Sequence, residues 1–284
     1  MTDGPTRRRV LRLAGATAFT ATAATLADLG TTTGSAAART SRRSVAGRSL
    51  NAAADPAGHI AVVDATRAPT PAWARPWHHP IDTLADFVHR DRQAHFARTA
   101  IMLTIDDGPS PEWTPKYLAL LAKYRIPATF CMIGRQVRSN RDLAKDVRDH
   151  GHVIANHTWT HDERLAFGSP AHIRAEITRT QDAIHAATGY TPNQFRNPGG
   201  AWGSAVYAEL ARARMMPLGW SVDPRDWARP GAAAIEHTML RARPHQIILC
   251  HDGGGDRAET YRALRTVIPA LLRRGYTFVT LPRG

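Results

Sequence analysis

Ile101-Met102-Leu103-Thr104-Ile105, followed at once by Asp106-Asp107-Gly108, is the stretch on which the fold turns. A short apolar and β-branched run bounded by turn formers describes a buried strand. The two carboxylates then stand at its C-terminal end, where α/β barrels and sheets gather their chemistry. The rest of the chain keeps the same alternation. Strands are expected near 100–105, 127–133, 152–156, 193–196, 215–222, 246–250 and 276–280, and helices over 114–124, 140–149, 170–187, 204–213, 231–241 and 257–274. Alternation of this kind implies right-handed βα units around a parallel sheet. About 185 residues are ample for one such core.

His157-Thr158-Trp159-Thr160-His161 follows another expected strand, Val153-Ile154-Ala155. Taken alone, Asp-Asp-Gly is often only a strand running into a turn, and two histidines four apart fit an exposed helix. Taken together, the segments offer one carboxylate and two imidazoles to a divalent metal, with a second carboxylate left beside them. Three protein ligands and an open position are what a catalytic zinc site requires. The spare Asp, next to a metal-activated water, is placed to act as general base.

Three further segments also end expected strands: Arg196-Asn197-Pro198-Gly199-Gly200 after Phe195, Asp223-Pro224-Arg225-Asp226-Trp227 after Val222, and Leu249-Cys250-His251 after Ile248. The order and spacing of all five segments resemble the polysaccharide deacetylases of carbohydrate esterase family 4, the nodulation-protein-B homology domain, over residues 99–284. The resemblance implies a distorted (β/α) barrel with seven or eight mostly parallel strands. It also implies the roles. Asp107, His157 and His161 hold the metal, and Asp106 is the general base, paired with Arg196. His251 is the general acid, kept protonated by Asp226. Trp227 and Leu249 wall the pocket, and backbone N–H groups near Gly199 assist the oxyanion. These roles make physical sense, since a carboxylate partner favours the imidazolium that must protonate a leaving amine.

The implied reaction is removal of N-acetyl groups from an N-acetylglucosamine-containing glycan, by attack of metal-held water with Asp106 as base and His251 as acid. Peptidoglycan is the expected substrate. Chitin or chito-oligosaccharide and acetylxylan are alternatives, and a non-catalytic glycan-binding protein on the same fold is an alternative of another class. Zinc suits the donor set, although cobalt, nickel or manganese also fit. One departure concerns the pocket wall. The family often carries an aromatic residue where this chain has Gly199, and Trp202 is a candidate replacement as a sugar-stacking surface.

Residues 1–38 read as a signal peptide: Arg7-Arg8-Arg9 precede an Ala/Thr/Leu stretch and then small residues. The paired arginines resemble a twin-arginine export signal, which implies a secreted or wall-associated protein. The stretch is too weakly apolar for a stable membrane anchor. Residues 39–95 read as an Ala/Arg/Pro-rich linker, with helical spacing of Leu84, Phe87 and Val88 near its end, and 96–284 as the catalytic domain. Trp73 and Trp77 are expected to seal against that domain. The chain carries +13 at pH 7, and residues 1–38 hold four Arg against two Asp, so the remainder is about +11. Such charge favours anionic cell-wall polymers. Nucleic acid is excluded as a partner because no nucleic-acid-binding motif is present, and no protein partner is implied. Cys131 and Cys250 both fall inside expected strands and read as two buried thiols.

Overall fold

The computed structural model describes residues 75–283; the expected signal peptide, the first part of the linker and Trp73 lie outside them. Seven strands pair in parallel: β1 (Ala100–Asp106), β2 (Thr129–Met132), β3 (Val153–Asn156), β4 (Gln194–Phe195), β5 (Met216–Pro217), β6 (Ile247–His251) and β7 (Thr277–Val279). The order is β5-β4-β3-β2-β1-β6, with β7 beside the first half of β1 and β2 beside its second half. The helices are α1 (Leu84–Arg90), α2 (Thr114–Tyr124), α3 (Gly134–Ser139), α4 (Arg141–Asp149), α5 (Pro170–Thr188), α6 (Ser204–Ala213), α7 (Ala232–Met239) and α8 (Ala258–Arg273). Among the described residues no helix is long and apolar enough to cross a membrane.

β1 is buried along its whole length and divides two cores. Ile101, Leu103 and Ile105 face the helix-covered core, while Ala100 and Met102 belong to the inner cluster. Strand alternation puts Thr104 and Asp106 on that same inner face. The barrel interior therefore passes from apolar at its base to polar at its mouth. Register then gathers the chemistry: Asp106 stands opposite both Cys131 and His251, and Asn156 opposite Phe195. Cys131 lies in the inner cluster and Cys250 in the outer one, so these two buried, free thiols face opposite sides of the sheet.

The expected strand over 215–222 shortens to Met216–Pro217. Beyond it the Leu218 and Gly219 carbonyls accept from the Arg196 guanidinium rather than from a neighbouring strand. The seam between β5 and β6 is closed by single bridges, Val222 to Ile248 and Ile81 to Leu218, with Thr83 bridged to Gln246. Trp77, Ile81, Leu84 and Phe87 are buried in the inner cluster. The packed domain thus takes in residues that composition assigns to the linker. Thr83 starts α1 as one half of a capping box with Asp86, which satisfies the free N–H groups of that short helix. The short helix α3 was not expected, because six residues with Val137 as their apolar anchor show no readable period.

Because Phe87 fills the inner core from α1, Phe87→Ala should cost about 3–5 kcal/mol in chemical denaturation. A loss below about 1 kcal/mol would mean that α1 is an appendage rather than part of the core.

Candidate metal centre and active site

Asp106 ends β1, and the next residue leaves the strand abruptly. Asp107 has a left-handed backbone (φ 75), a conformation Asp tolerates better than most residues. The turn after β6 packs directly on it. A Cβ on Gly253 would lie 2.1 Å from the Asp107 carbonyl oxygen, so a glycine is needed for that approach. The Asp252 N–H donates to the Asp106 carbonyl oxygen at 3.0 Å and ties the two strand ends together.

The histidine segment is a loop rather than a helix, with Thr158 (φ 65) and His161 (φ 62) both left-handed. Glu176, buried on α5, holds it in shape. Its Oε2 accepts from the Trp159 and Thr160 N–H groups at 2.9 and 2.8 Å and from the Thr160 hydroxyl at 3.0 Å. The Thr158 hydroxyl accepts from the His161 N–H at 3.0 Å. His157 Nδ1 lies 2.9 Å from the Arg196 carbonyl oxygen, which can only accept, so Nδ1 carries the proton and Nε2 is left as a donor atom.

One ligand atom each from Asp107, His157 and His161 lies within 4.8 Å of the others. Asp107 Oδ1 is buried without a hydrogen-bond partner and stands 3.5 Å from His157 Nε2 and 3.2 Å from His161 Nε2. An orphaned carboxylate oxygen facing two imidazole nitrogens suits a divalent cation bound by N and O donors. Burial alone would raise the Asp107 carboxyl, but the His157, His251 and His161 rings hold it below the usual carboxylate range. Asp106 is held differently. Its Oδ1 accepts from Arg196 Nη1 at 2.8 Å, and its Oδ2 stands 3.6 Å from His157 Nε2.

Arg196 is 0 % exposed, and four of its five N–H donors are bonded. Besides Asp106 it donates to the Thr104 hydroxyl at 2.7 Å and to the carbonyls of Gly219 at 2.7 Å and Leu218 at 3.3 Å. Burial works against its charge, but Asp106 more than offsets this and raises its pKa. Asp226 is spent on His251 and Thr260. Its Oδ1 lies 2.7 Å from His251 Nδ1, and its Oδ2 accepts from the His251 N–H at 2.9 Å and the Thr260 hydroxyl at 3.0 Å. Burial lowers the pKa of His251, but the bond to Asp226 and its charge prevail and raise it to about 9.

Asp106, Asp107, His157, His161 and His251 open on one cavity of about 530 Å³, which Gly199, Trp227 and Leu249 also line, with Arg196 and Asp226 buried behind them. Trp227 is 48 % exposed at the rim. Trp202 lies elsewhere: it stacks on Tyr207 at 5.7 Å, packs on Phe195, and lines a separate groove with Trp77. A second indole on the cavity wall, beside Trp227, is Trp220, which a Cβ on Gly200 would strike at 2.5 Å. Sequence reasoning missed Trp220 because it fell inside an expected strand. It missed Glu176 because a glutamate within a helix carries no local signal, and it missed Glu163, Asn197 and Arg257 on the cavity wall.

A family model described as polysaccharide deacetylase matches residues 94–218. The chain is 41% identical over 195 residues to a chitooligosaccharide deacetylase of Rhizobium leguminosarum bv. trifolii, covering 64% of this chain and 90% of that protein. It is 40% identical over 184 residues to a peptidoglycan-N-acetylglucosamine deacetylase of Bacillus cereus, covering 64% of this chain and 85% of that one. Among solved structures it is similar to a family 4 carbohydrate esterase from Streptomyces lividans in complex with acetate, with TM-score 0.61 and 30% identity over 66% of this chain and 95% of that chain.

Two outcomes check the site. Glu176→Ala, which frees the histidine loop, should weaken zinc binding by about 10–100-fold in a competitive chelator titration, as outer-shell losses do; an unchanged affinity would remove Glu176 from the site. The ring of His251, followed by NMR, should titrate near 9, being protonated below that value and neutral above it. In Asp226→Asn the midpoint should fall toward the ordinary value of about 6.5. A wild-type midpoint already there would contradict the assigned pairing.

Proposed function

We propose that this chain, which belongs to the polysaccharide deacetylases of carbohydrate esterase family 4, removes N-acetyl groups from N-acetylglucosamine units of a glycan, most readily peptidoglycan. The observation that carries the reading is the convergence of the Asp107, His157 and His161 donors, the Asp106–Arg196 pair and the His251–Asp226 pair on one cavity. Peptidoglycan is preferred over chito-oligosaccharide because the leader-like N-terminus and the charge of +13 suit an exported protein working among anionic wall polymers. Zinc is the proposed metal, on the strength of two imidazole donors and one carboxylate.

A divalent cation held by Asp107, His157 and His161 supplies Lewis acidity to the acetyl carbonyl and to the attacking water. Asp106 receives a proton from that water at Oδ2, since Oδ1 is engaged by Arg196. As the carbon–oxygen bond forms and the carbon–nitrogen bond breaks, His251 delivers the Nε2 proton to the leaving nitrogen. Asp226 fixes the ring through Nδ1 and supports its cationic form. Acetate and a free amine result. Leu249, Trp220 and Trp227 bound the space around the acetamide and the sugar, and an apolar wall limits competing water.

The test is acetate release from peptidoglycan, chito-oligosaccharide and acetylxylan by wild type and Asp106→Asn. The variant should lose about 10²–10⁴-fold in turnover, the ordinary worth of a general base, while zinc affinity is kept. Unchanged turnover would remove Asp106 as the base. Glycan binding by wild type without acetate release from any substrate would favour the non-catalytic alternative.

A further inference from the structure

One buried cation on the cavity wall has no part in that mechanism. Arg257 stands at the N-terminal end of α8 and is 4 % exposed, and the surface it keeps lines the cavity. Its Nε donates to the Gly253 carbonyl oxygen at 2.6 Å. Among the described residues no carboxylate lies within ion-pairing distance of it, and its two Nη groups have no protein acceptor. Desolvating a guanidinium is costly, and proteins normally offset that with a counter-charge. The other buried guanidinium among the described residues, Arg196, has Asp106.

A second observation concerns access. Arg257 Nη2 lies 3.0 Å, and Asp107 Oδ2 2.8 Å, from the point where a Cβ on Gly254 would stand. Gly254 has φ +72 and is exposed, so the glycine leaves a gap in the wall beside the guanidinium edge. The gap puts planar N–H donors within reach of a ligand oxygen next to the metal donor set. The dipole of α8 adds positive potential at the same end. Four carboxylates line the cavity: Asp106 is paired with Arg196 and Asp107 faces the two histidines, while Glu163 and Asp223 are exposed to solvent and weakened by screening.

We propose that Arg257 is a specificity-determining residue that receives a carboxylate in the cavity, borne by an acidic substituent of the glycan or by the acetate that the reaction forms. The proposal rests on the deacetylase reading for its choice of ligand. A guanidinium edge matches a carboxylate with two parallel hydrogen bonds, a geometry that a lysine ammonium does not reproduce.

The test is calorimetric titration of zinc-loaded full-length wild type, Arg257→Gln and Arg257→Lys with three probes. These are acetate, a muramyl disaccharide with a free lactyl carboxylate, and the neutral disaccharide N,N′-diacetylchitobiose. In Arg257→Gln, affinity for at least one carboxylate probe should fall tenfold or more relative to the neutral disaccharide, with a smaller loss in Arg257→Lys. A loss confined to the muramyl probe assigns the residue to substrate recognition, and one confined to acetate assigns it to the product. Equal effects on charged and neutral probes overturn the proposal. So do no effect on any probe, no carboxylate binding by wild type, or a parallel fall in zinc affinity. Acetate release by wild type is measured alongside. Its absence would reject the deacetylase reading, while the binding comparison would still judge Arg257.

Discussion

The ion pair between Arg196 and Asp106 is the constraint around which the domain is arranged. A guanidinium fully removed from water costs several kcal/mol unless its charge and its donors are all met. Here its charge and four of its five donors are met by the Asp106 carboxylate and Thr104 hydroxyl of β1 and by the Leu218 and Gly219 carbonyls beyond β5. To supply those carbonyls, the chain after Pro217 gives up regular pairing, and the barrel seam is left to isolated bridges and to residues 77–87. The backbone carbonyl of Arg196 meanwhile accepts from His157 Nδ1. One residue therefore fixes the proposed base, Asp106, through its side chain and the candidate metal ligand His157 through its backbone.

Around that pair the site uses buried acids as scaffolding. Glu176 shapes the histidine loop through backbone N–H groups, and Asp226 orients and charges His251. In each case a carboxylate that could not be buried alone is satisfied by several donors. The same requirement accounts for three left-handed residues, Asp107, Thr158 and His161, at one centre. Backbone in sparsely populated regions persists only where the surroundings over-determine it, and the Glu176 bonds and the turn after β6 do so here.

Much of this was legible in the sequence because each motif follows an apolar strand, and parallel register brings strand ends to one rim. Asp106, Asp107, His157 and His161 could be nominated from type, order and spacing, and Arg196, Asp226 and His251 from the family resemblance that their segments carry. The helices α2, α5 and α8 could be bounded to within a residue or two from the sequence. What escaped depends on tertiary proximity. Glu176 lies on α5, far along the chain from the loop it holds. Trp220 and Trp202 look alike in sequence, and only the direction the chain takes around Arg196 separates the one in the cavity from the one stacked on Tyr207 of α6. Residues 77–87 are a different case: the helical spacing at the end of the linker and the sealing Trp77 were both readable, and four of these residues complete the inner core.

The measurement that tests the account most directly is acetate release from N-acetylated chito-oligosaccharide by protein stripped with chelator and then titrated with zinc. The account predicts no release from the stripped protein and a rise that levels off at one equivalent of metal per chain, the stoichiometry of a single Asp107–His157–His161 centre. Full release by stripped protein, or a protein that binds zinc at that ratio and releases no acetate from any N-acetylated glycan, would contradict it.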